Sequence, residues 1–366
     1  MRKVNIFYLL GFLVGGATGL FIPLSSLFLS EKNIPENVIG MISATYFAAM
    51  VIGSYVFLKI CKKFDAYKLV IAALFVAILS IIAFVKADSL PMYFLCMFMI
   101  GLGISFNFIT IQNGLSQSDV EDKTRITGLY AFFFAMGFAC STACGTSLFT
   151  KSANLAFGIA CFLLAIDMGI IFKIKIKLNF TENEKERYNF WVFAPFILGG
   201  FTYGFIENAF SSFYTIYLKH FYSINFSGIV LGAFVLGGII GMLPLSALPK
   251  KVGIHKACIV FSAGALIGFG LILVTDYKLI FSVVAGACVC VIYPSTLAAL
   301  NLSEVSRNEI VWATGVYSIF YSIGSAFGPF IAGFATSITS VGLFIVSGLL
   351  MLLFGGIHLH KSVKMS

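Results

Sequence analysis

Residues 12–22 read Phe-Leu-Val-Gly-Gly-Ala-Thr-Gly-Leu-Phe-Ile, and residues 196–206 read Phe-Ile-Leu-Gly-Gly-Phe-Thr-Tyr-Gly-Phe-Ile. Two further pairs follow in the same order. Lys62-Lys63-Phe64-Asp65-Ala66-Tyr67-Lys68 reads against Lys250-Lys251-Val252-Gly253-Ile254-His255-Lys256. Thr127-Gly128-Leu129-Tyr130 reads against Thr314-Gly315-Val316-Tyr317, with Gly137 against Gly324. The offset stays at roughly 184–188 residues. Apolar segments resemble one another by composition alone, but composition does not bring two basic loops and a Gly-Gly pair into one order. The chain reads as a duplication.

The two copies are too apolar for water. Of 366 residues, 11% are charged and 60% hydrophobic, and the mean hydropathy is +1.00. A soluble chain carries about 25% charged and about 45–50% apolar residues. A soluble enzyme, a nucleic-acid binder and a disordered chain are excluded on that ground. Twelve apolar runs can be marked: 5–29, 38–60, 69–86, 91–113, 126–149, 155–173, 190–218, 226–248, 257–275, 278–301, 311–336 and 340–359. Each is close to the ~20 residues that cross a bilayer as a helix. The expected fold is an all-α polytopic membrane protein of twelve transmembrane helices in two pseudo-symmetric six-helix bundles, residues 1–173 and 190–366. Residues 174–189, with Thr181-Glu182-Asn183-Glu184-Lys185-Glu186-Arg187, form the linker. The apolar stretch after Met1-Arg2-Lys3 is longer than a signal-peptide core and lacks a small-x-small cleavage site, so it counts as the first helix.

Charge placement sets the expected orientation. The net charge of +9 would suit nucleic acid, but cytoplasmic loops of membrane proteins collect Lys and Arg. With the N-terminus inside, nineteen of the 24 Lys and Arg are cytoplasmic. Only Lys32, Lys86, Lys151, Lys219 and Lys278 are outside. Both termini are therefore expected in the cytoplasm. The eight cysteines lie in apolar runs or at their ends without zinc-ligand spacing, and are read as small buried hydrophobes. His358-Leu359-His360 is read as a cytoplasmic anchor, and no metal is expected.

The basic loop after run two, with its copy after run eight, resembles the Gly-x-x-x-Asp-Arg-x-Gly-x-x-Arg/Lys loop of the major facilitator superfamily. Lys62 and Lys250 stand at the acid position, Lys63 and Lys251 at the first basic one, and Lys68 and Lys256 at the last. Gly253 keeps the inner glycine and Asp65 replaces it in the first copy. The acid that helps latch the two halves in the family is absent from both copies, and these lysines can equally act as cationic membrane anchors. Tyr293-Pro294-Ser295 and the Gly324, Gly328-Pro329, Gly333 series also resemble small bacterial members. Run five has Gly137, Ser141 and Gly145 without the proline of the drug/proton exporters.

Charged groups inside a bilayer are costly and usually mark function. Of fifteen acids, Asp167 and Glu207 fall well inside apolar runs, and no Lys or Arg does. Glu207 sits about 4–5 Å from the middle of run seven at 1.5 Å per residue. The resemblance implies that helices 1, 4, 7 and 10 surround a central cavity, which would make Glu207 a proton-coupling carboxyl. Desolvation there penalises the charged form. The plainer alternative is a neutral Glu207 bonded to a neighbouring tyrosine for packing. Asp167, six residues before Lys173, is read as an acid within reach of the basic linker. Asn107, Gln112, Asn113, Tyr203, Tyr293, Tyr317 and Tyr321 are the expected cavity residues, and Pro294 is expected to unwind the helix beside Tyr293. The glycine series are packing faces, since a phosphate loop would follow a strand and open a helix.

The function these residues predict is secondary active transport by alternating access, proton-coupled. The expected solute is small and neutral, cationic or amphipathic, because a cavity without Lys or Arg suits anions poorly. A facilitator-fold scaffold or receptor without transport is one alternative. A membrane-embedded enzyme is another, without His-Glu-x-x-His, Gly-x-Ser-x-Gly or paired carboxylates to support it. No cofactor is implied. The expected partners are the solute, protons and the bilayer, with the chain acting as a monomer.

Overall fold

The computed structural model describes residues 2–61, 63–116, 123–175, 190–245, 247–302 and 307–365. Among them are fourteen helices and no strands. The first half holds α1 (Arg2–Glu31), α2 (Glu36–Ile60), α3 (Ala66–Lys86), α4 (Leu90–Ser116), α5 (Lys123–Lys151) and α6 (Ala153–Ile174). The second holds α7 (Phe190–Leu218), α8 (Ile224–Leu245), α9 (Leu248–Val252), α10 (Ile254–Val274), α11 (Lys278–Cys290), α12 (Ile292–Leu302), α13 (Arg307–Ile338) and α14 (Gly342–Met365). The short α9 carries Lys250 and Lys251. It ends at Gly253, whose φ of +87° is one that a residue with a side chain rarely adopts. The tenth apolar run is split into α11 and α12 at Val291. Pro294 has no N–H to offer the Cys290 carbonyl four residues back, so the helix breaks one turn before it.

Eleven spans are long and apolar enough to cross a membrane, with α11 and α12 counted as one. The twelfth is α7. It is 29 residues long but interrupts its apolar sequence with Tyr203, Glu207, Asn208, Ser211 and Ser212. Helices pack through small residues in the absence of a hydrophobic drive between them. A Cβ on Gly137 would collide with the Phe12 carbonyl where α5 crosses α1, and one on Gly324 with the Phe201 carbonyl where α13 crosses α7. Aromatic clusters fill each half, Phe21, Phe84 and Phe157 in the first and Phe210, Phe234, Phe269 and Phe344 in the second. Leu79, Phe162, Ile267 and Leu353 are exposed, as a lipid-facing surface requires.

This packing corrects the register of the repeat. Gly11 lies against the Tyr130 ring and Gly15 against Phe134; Gly200 lies against the Tyr317 ring and Gly204 against Tyr321. With Phe12 and Phe201 each against the equivalent glycine, α7 matches α1 five residues beyond the register in which Phe196 faces Phe12. Glu207 therefore corresponds to Thr18, whose hydroxyl donates within its own helix to the Val14 carbonyl at 2.8 Å. Glycine-rich helices offer several self-similar registers, and the aromatic residues that seat on the glycines decide between them.

Two other expectations change. His358 is fully buried. Its Nδ1 lies 2.8 Å from Nδ1 of His255, so it pins α14 to α10, and Phe196 stacks on the His255 ring. It is an interior contact, whereas His360 is exposed. Cys140 and Cys144 are exposed on α5, while Cys96, Cys258 and Cys290 are buried as expected.

The halves meet at the end of the molecule away from the termini. There a Cβ on Gly40 of α2 would fall 2.9 Å from the Gly333 Cα of α13. Lys219 Nζ donates to Ser30 Oγ at 2.6 Å, and Thr150 Oγ1 donates to Asn225 Oδ1 at 2.9 Å. At the terminal-bearing end of the same helices, Tyr55, Leu58, Phe132 and Ile319 are exposed. Among the described residues, the molecule is closed at the end away from the termini and open at the other. A cavity of about 500 Å³ lies on the open side, lined by Asn5, Tyr8, Leu9, Phe12 and Phe133.

Candidate functional site

Glu207 lies one turn after Tyr203 on α7, so the two side chains share a face. The Tyr203 hydroxyl donates to Glu207 Oε1 at 2.7 Å. The Tyr321 hydroxyl of α13 donates to Oε2 at 3.1 Å. Close approach of α13 is possible because Gly204 presents no side chain to the Tyr321 backbone. Asn208, next along α7, donates to Ser325 Oγ at 3.0 Å and holds the same crossing. Tyr293, at the start of α12, completes an aromatic group. Its ring centroid is 5.2 Å from that of Tyr203 and 5.5 Å from that of Tyr321. Glu207, Tyr203, Tyr293 and Tyr321 are all half-buried.

Tyr317 has a different place from the one expected. It is fully buried, packed with Phe193 and Ile197, and its hydroxyl donates to the Tyr293 carbonyl at 2.9 Å. It therefore supports Tyr293 from behind. Thr296, which sequence reasoning passed over, bonds the same hydroxyl at 3.0 Å. A backbone carbonyl has two lone pairs, so the Tyr293 carbonyl in the first turn of α12 can take this bond from a neighbouring helix. No Lys, Arg or His among the described residues pairs with Glu207, so its charge meets only two hydroxyl dipoles.

The three residues expected from α4 do not gather at this site. Asn107 is fully buried and its amide donates to Asp167 Oδ2 at 2.6 Å. This places Asn107 in the interior of the first half, and corrects the reading of Asp167 as a partner of the basic linker. Asn113 Nδ2 donates to the Ile109 carbonyl of its own helix, and Gln112 is exposed. Among the loop lysines, Lys68 pairs with Asp65 at 2.7 Å within one helical turn. Lys63, Lys250, Lys251 and Lys256 are exposed and form no ion pair among the described residues; Lys62 lies outside those residues. The aromatic cavity wall of Tyr8, Phe12 and Phe133 is an addition to the expected residues. Its mark is the stacking of Tyr8 on Phe133, 5.5 Å between centroids, across two helices.

A sequence model of the Major Facilitator Superfamily matches residues 7–276 and 196–360. The chain belongs to that superfamily. It is 25% identical to the uncharacterised facilitator-type transporter YfkF of Bacillus subtilis, over 72% of this chain and 71% of that one. It is 22% identical to multidrug resistance protein 1 of the same organism, over 86% and 85%. Among solved structures it superposes on the nucleoside transporter NupG with a TM-score of 0.80 at 13% identity, covering 98% of this chain and 99% of that one. On a bacterial homologue of the human lysosomal transporter Spinster the score is 0.72 at 11% identity, covering 98% and 96%. At these identities the structures speak for the fold alone. This facilitator is a multi-pass membrane transporter, and its family contains transporters rather than enzymes.

Proposed function

We propose that this facilitator moves a small neutral, cationic or amphipathic solute by alternating access, and that Glu207 couples the movement to protons. The observation that carries the reading is the carboxyl itself. It is an acid on a membrane-spanning helix, bonded by hydroxyls from α7 and α13, with no cation among the described residues to hold it ionised. Two hydroxyl partners can accompany either protonation state, because a tyrosine oxygen also accepts a hydrogen bond. Three tyrosine rings beside the carboxyl provide flat apolar surface with polar edges, which suits a solute that is itself partly apolar. The name of one relative, a multidrug resistance protein, points to solutes of that kind.

The moving parts in this proposal are residues 1–173 and 190–366, acting within one chain and joined by the linker 174–189. The termini face the cytoplasm of a bacterial inner membrane, in keeping with the excess of Lys and Arg in the loops on that side. The open end in this structure is then cytoplasmic. Reporter fusions after Lys185 and after Lys361 should both report inside; an outside signal at either would overturn the orientation.

Glu207→Gln tests the coupling. It keeps the size of the side chain and removes the proton exchange. Proton-gradient-driven accumulation in vesicles should be lost, while solute counterflow continues. Wild-type accumulation in Glu207→Gln would make the carboxyl a packing group.

A further inference from the structure

A second carboxyl within the spans lies in the other half, and this one is fully buried. Asp167 of α6 and Asn107 of α4 are both 0% exposed. The single bond between them runs from Asn107 Nδ2 to Asp167 Oδ2, 2.6 Å. Asp167 Oδ1 and Asn107 Oδ1 are left buried without any partner. With an ionised carboxylate, both are acceptors, and neither can satisfy the other. An unpaired buried acceptor loses its bonds to water and gains nothing in return.

Among the described residues, the surroundings supply no counter-charge. The Thr110 hydroxyl of α4 and the Tyr130 hydroxyl of α5 are also buried and without partners, and Tyr130 lies in electrostatic range of Asp167. From α3, which packs against α6, the charged side chains are Lys68 and Lys86 at its two ends, with Lys68 exposed and committed to Asp65. The described side chains of α1, also packed on α6, include one charged group, the exposed Glu31 at its far end. Those of α5 include one, the exposed Lys151 in its last turn. No ion pair to Asp167 exists among the described residues.

One proton resolves this arrangement. On Asp167 Oδ1 it converts an acceptor into a donor, and the oxygen it would reach is Asn107 Oδ1. The carboxylic acid and the amide then form a ring of two hydrogen bonds, each group donating once and accepting once. The two oxygens lacking partners are the two that such a ring joins. We propose that the Asn107–Asp167 pair is a proton-binding site inside the first half, separate from Glu207 and sharing no residue with it. The Tyr130 hydroxyl is the donor in range when the proton leaves.

Infrared difference spectroscopy of the purified full-length protein tests this directly, because a protonated carboxyl has its own C=O stretch. Glu207→Gln removes the other acid within the spans. At neutral pH, Glu207→Gln should keep one protonated-carboxyl band. Adding Asn107→Leu should move that band to higher frequency as its hydrogen bond is lost, and adding Asp167→Asn should abolish it. Asp167→Asn alone should leave any Glu207 band in place, so the two sites are read independently. No band in Glu207→Gln at neutral pH would overturn the proposal. So would a band that ignores Asn107→Leu, since it would belong to another group. A band that disappears on adding sodium at constant pH would reassign the oxygens to a metal cation. The Asn107→Leu arm keeps the test valid if Asp167→Asn does not fold.

Discussion

At the scale of single residues, the second half concentrates its chemistry around one carboxyl. Tyr203 and Tyr321 each give Glu207 one hydrogen bond, at 2.7 and 3.1 Å. Hydrogen bonds to charged groups are worth about 1.5–3 kcal/mol. Tyr203→Phe and Tyr321→Phe should therefore reduce proton-driven accumulation several-fold without preventing folding, with the larger loss in Tyr203→Phe, whose bond is shorter. Uptake rates in vesicles, set against unfolding temperatures of the same preparations, check both parts. Tyr317→Phe leaves Glu207 untouched but removes the bond to the Tyr293 carbonyl. Because Tyr317 is fully buried, its cost should appear first in stability, at about 1 kcal/mol.

At the scale of helices, glycine placement sets how closely neighbours pack. Gly324→Ala would drive a methyl group into the Phe201 backbone, and an overpacked contact of that kind costs about 1–3 kcal/mol. Gly315, earlier on α13, has nothing within 4 Å of where a Cβ would stand. Gly315→Ala should be neutral to stabilising by about 0.5–1 kcal/mol, since glycine weakens a helix interior. Thermal unfolding in detergent should order the two variants oppositely about the wild type. The break between α11 and α12 gives a second expectation. Pro294→Ala returns an N–H to the Cys290 carbonyl and favours one continuous helix. It should slow amide hydrogen exchange near residues 290–294 and lower transport, because Tyr293 would lose the position that Tyr317 now holds.

At the scale of the whole molecule, the contacts between halves at the closed end predict a lock. Thr150 on α5 and Asn225 on α8 touch across the halves at 2.9 Å. In a background freed of native cysteines, Thr150→Cys with Asn225→Cys should crosslink under mild oxidation and stop transport. Reduction should restore it. Full transport by the crosslinked protein would mean that this end need not open during the cycle.

The amino-acid order alone determined that the chain is a duplicated, twelve-span membrane protein, and that Glu207 and Asp167 are its acids within the spans. Those features are local: a run of apolar residues is legible wherever it folds, and an acid inside one stands out by its cost of burial. Even α7, with five polar residues in its middle, could be read because they interrupt a long apolar run without ending it. Partnerships were not legible in the same way. Asn107 meets Asp167 across 60 residues, and His255 meets His358 across 103. Nothing in the periodicity of either helix names the facing residue, because one polar group on an apolar face can turn toward several neighbours. The tertiary structure also chose the register of the repeat and the end at which the halves close. Both depend on how ridges of side chains seat between two particular helices, and a helix carries only its own half of that contact.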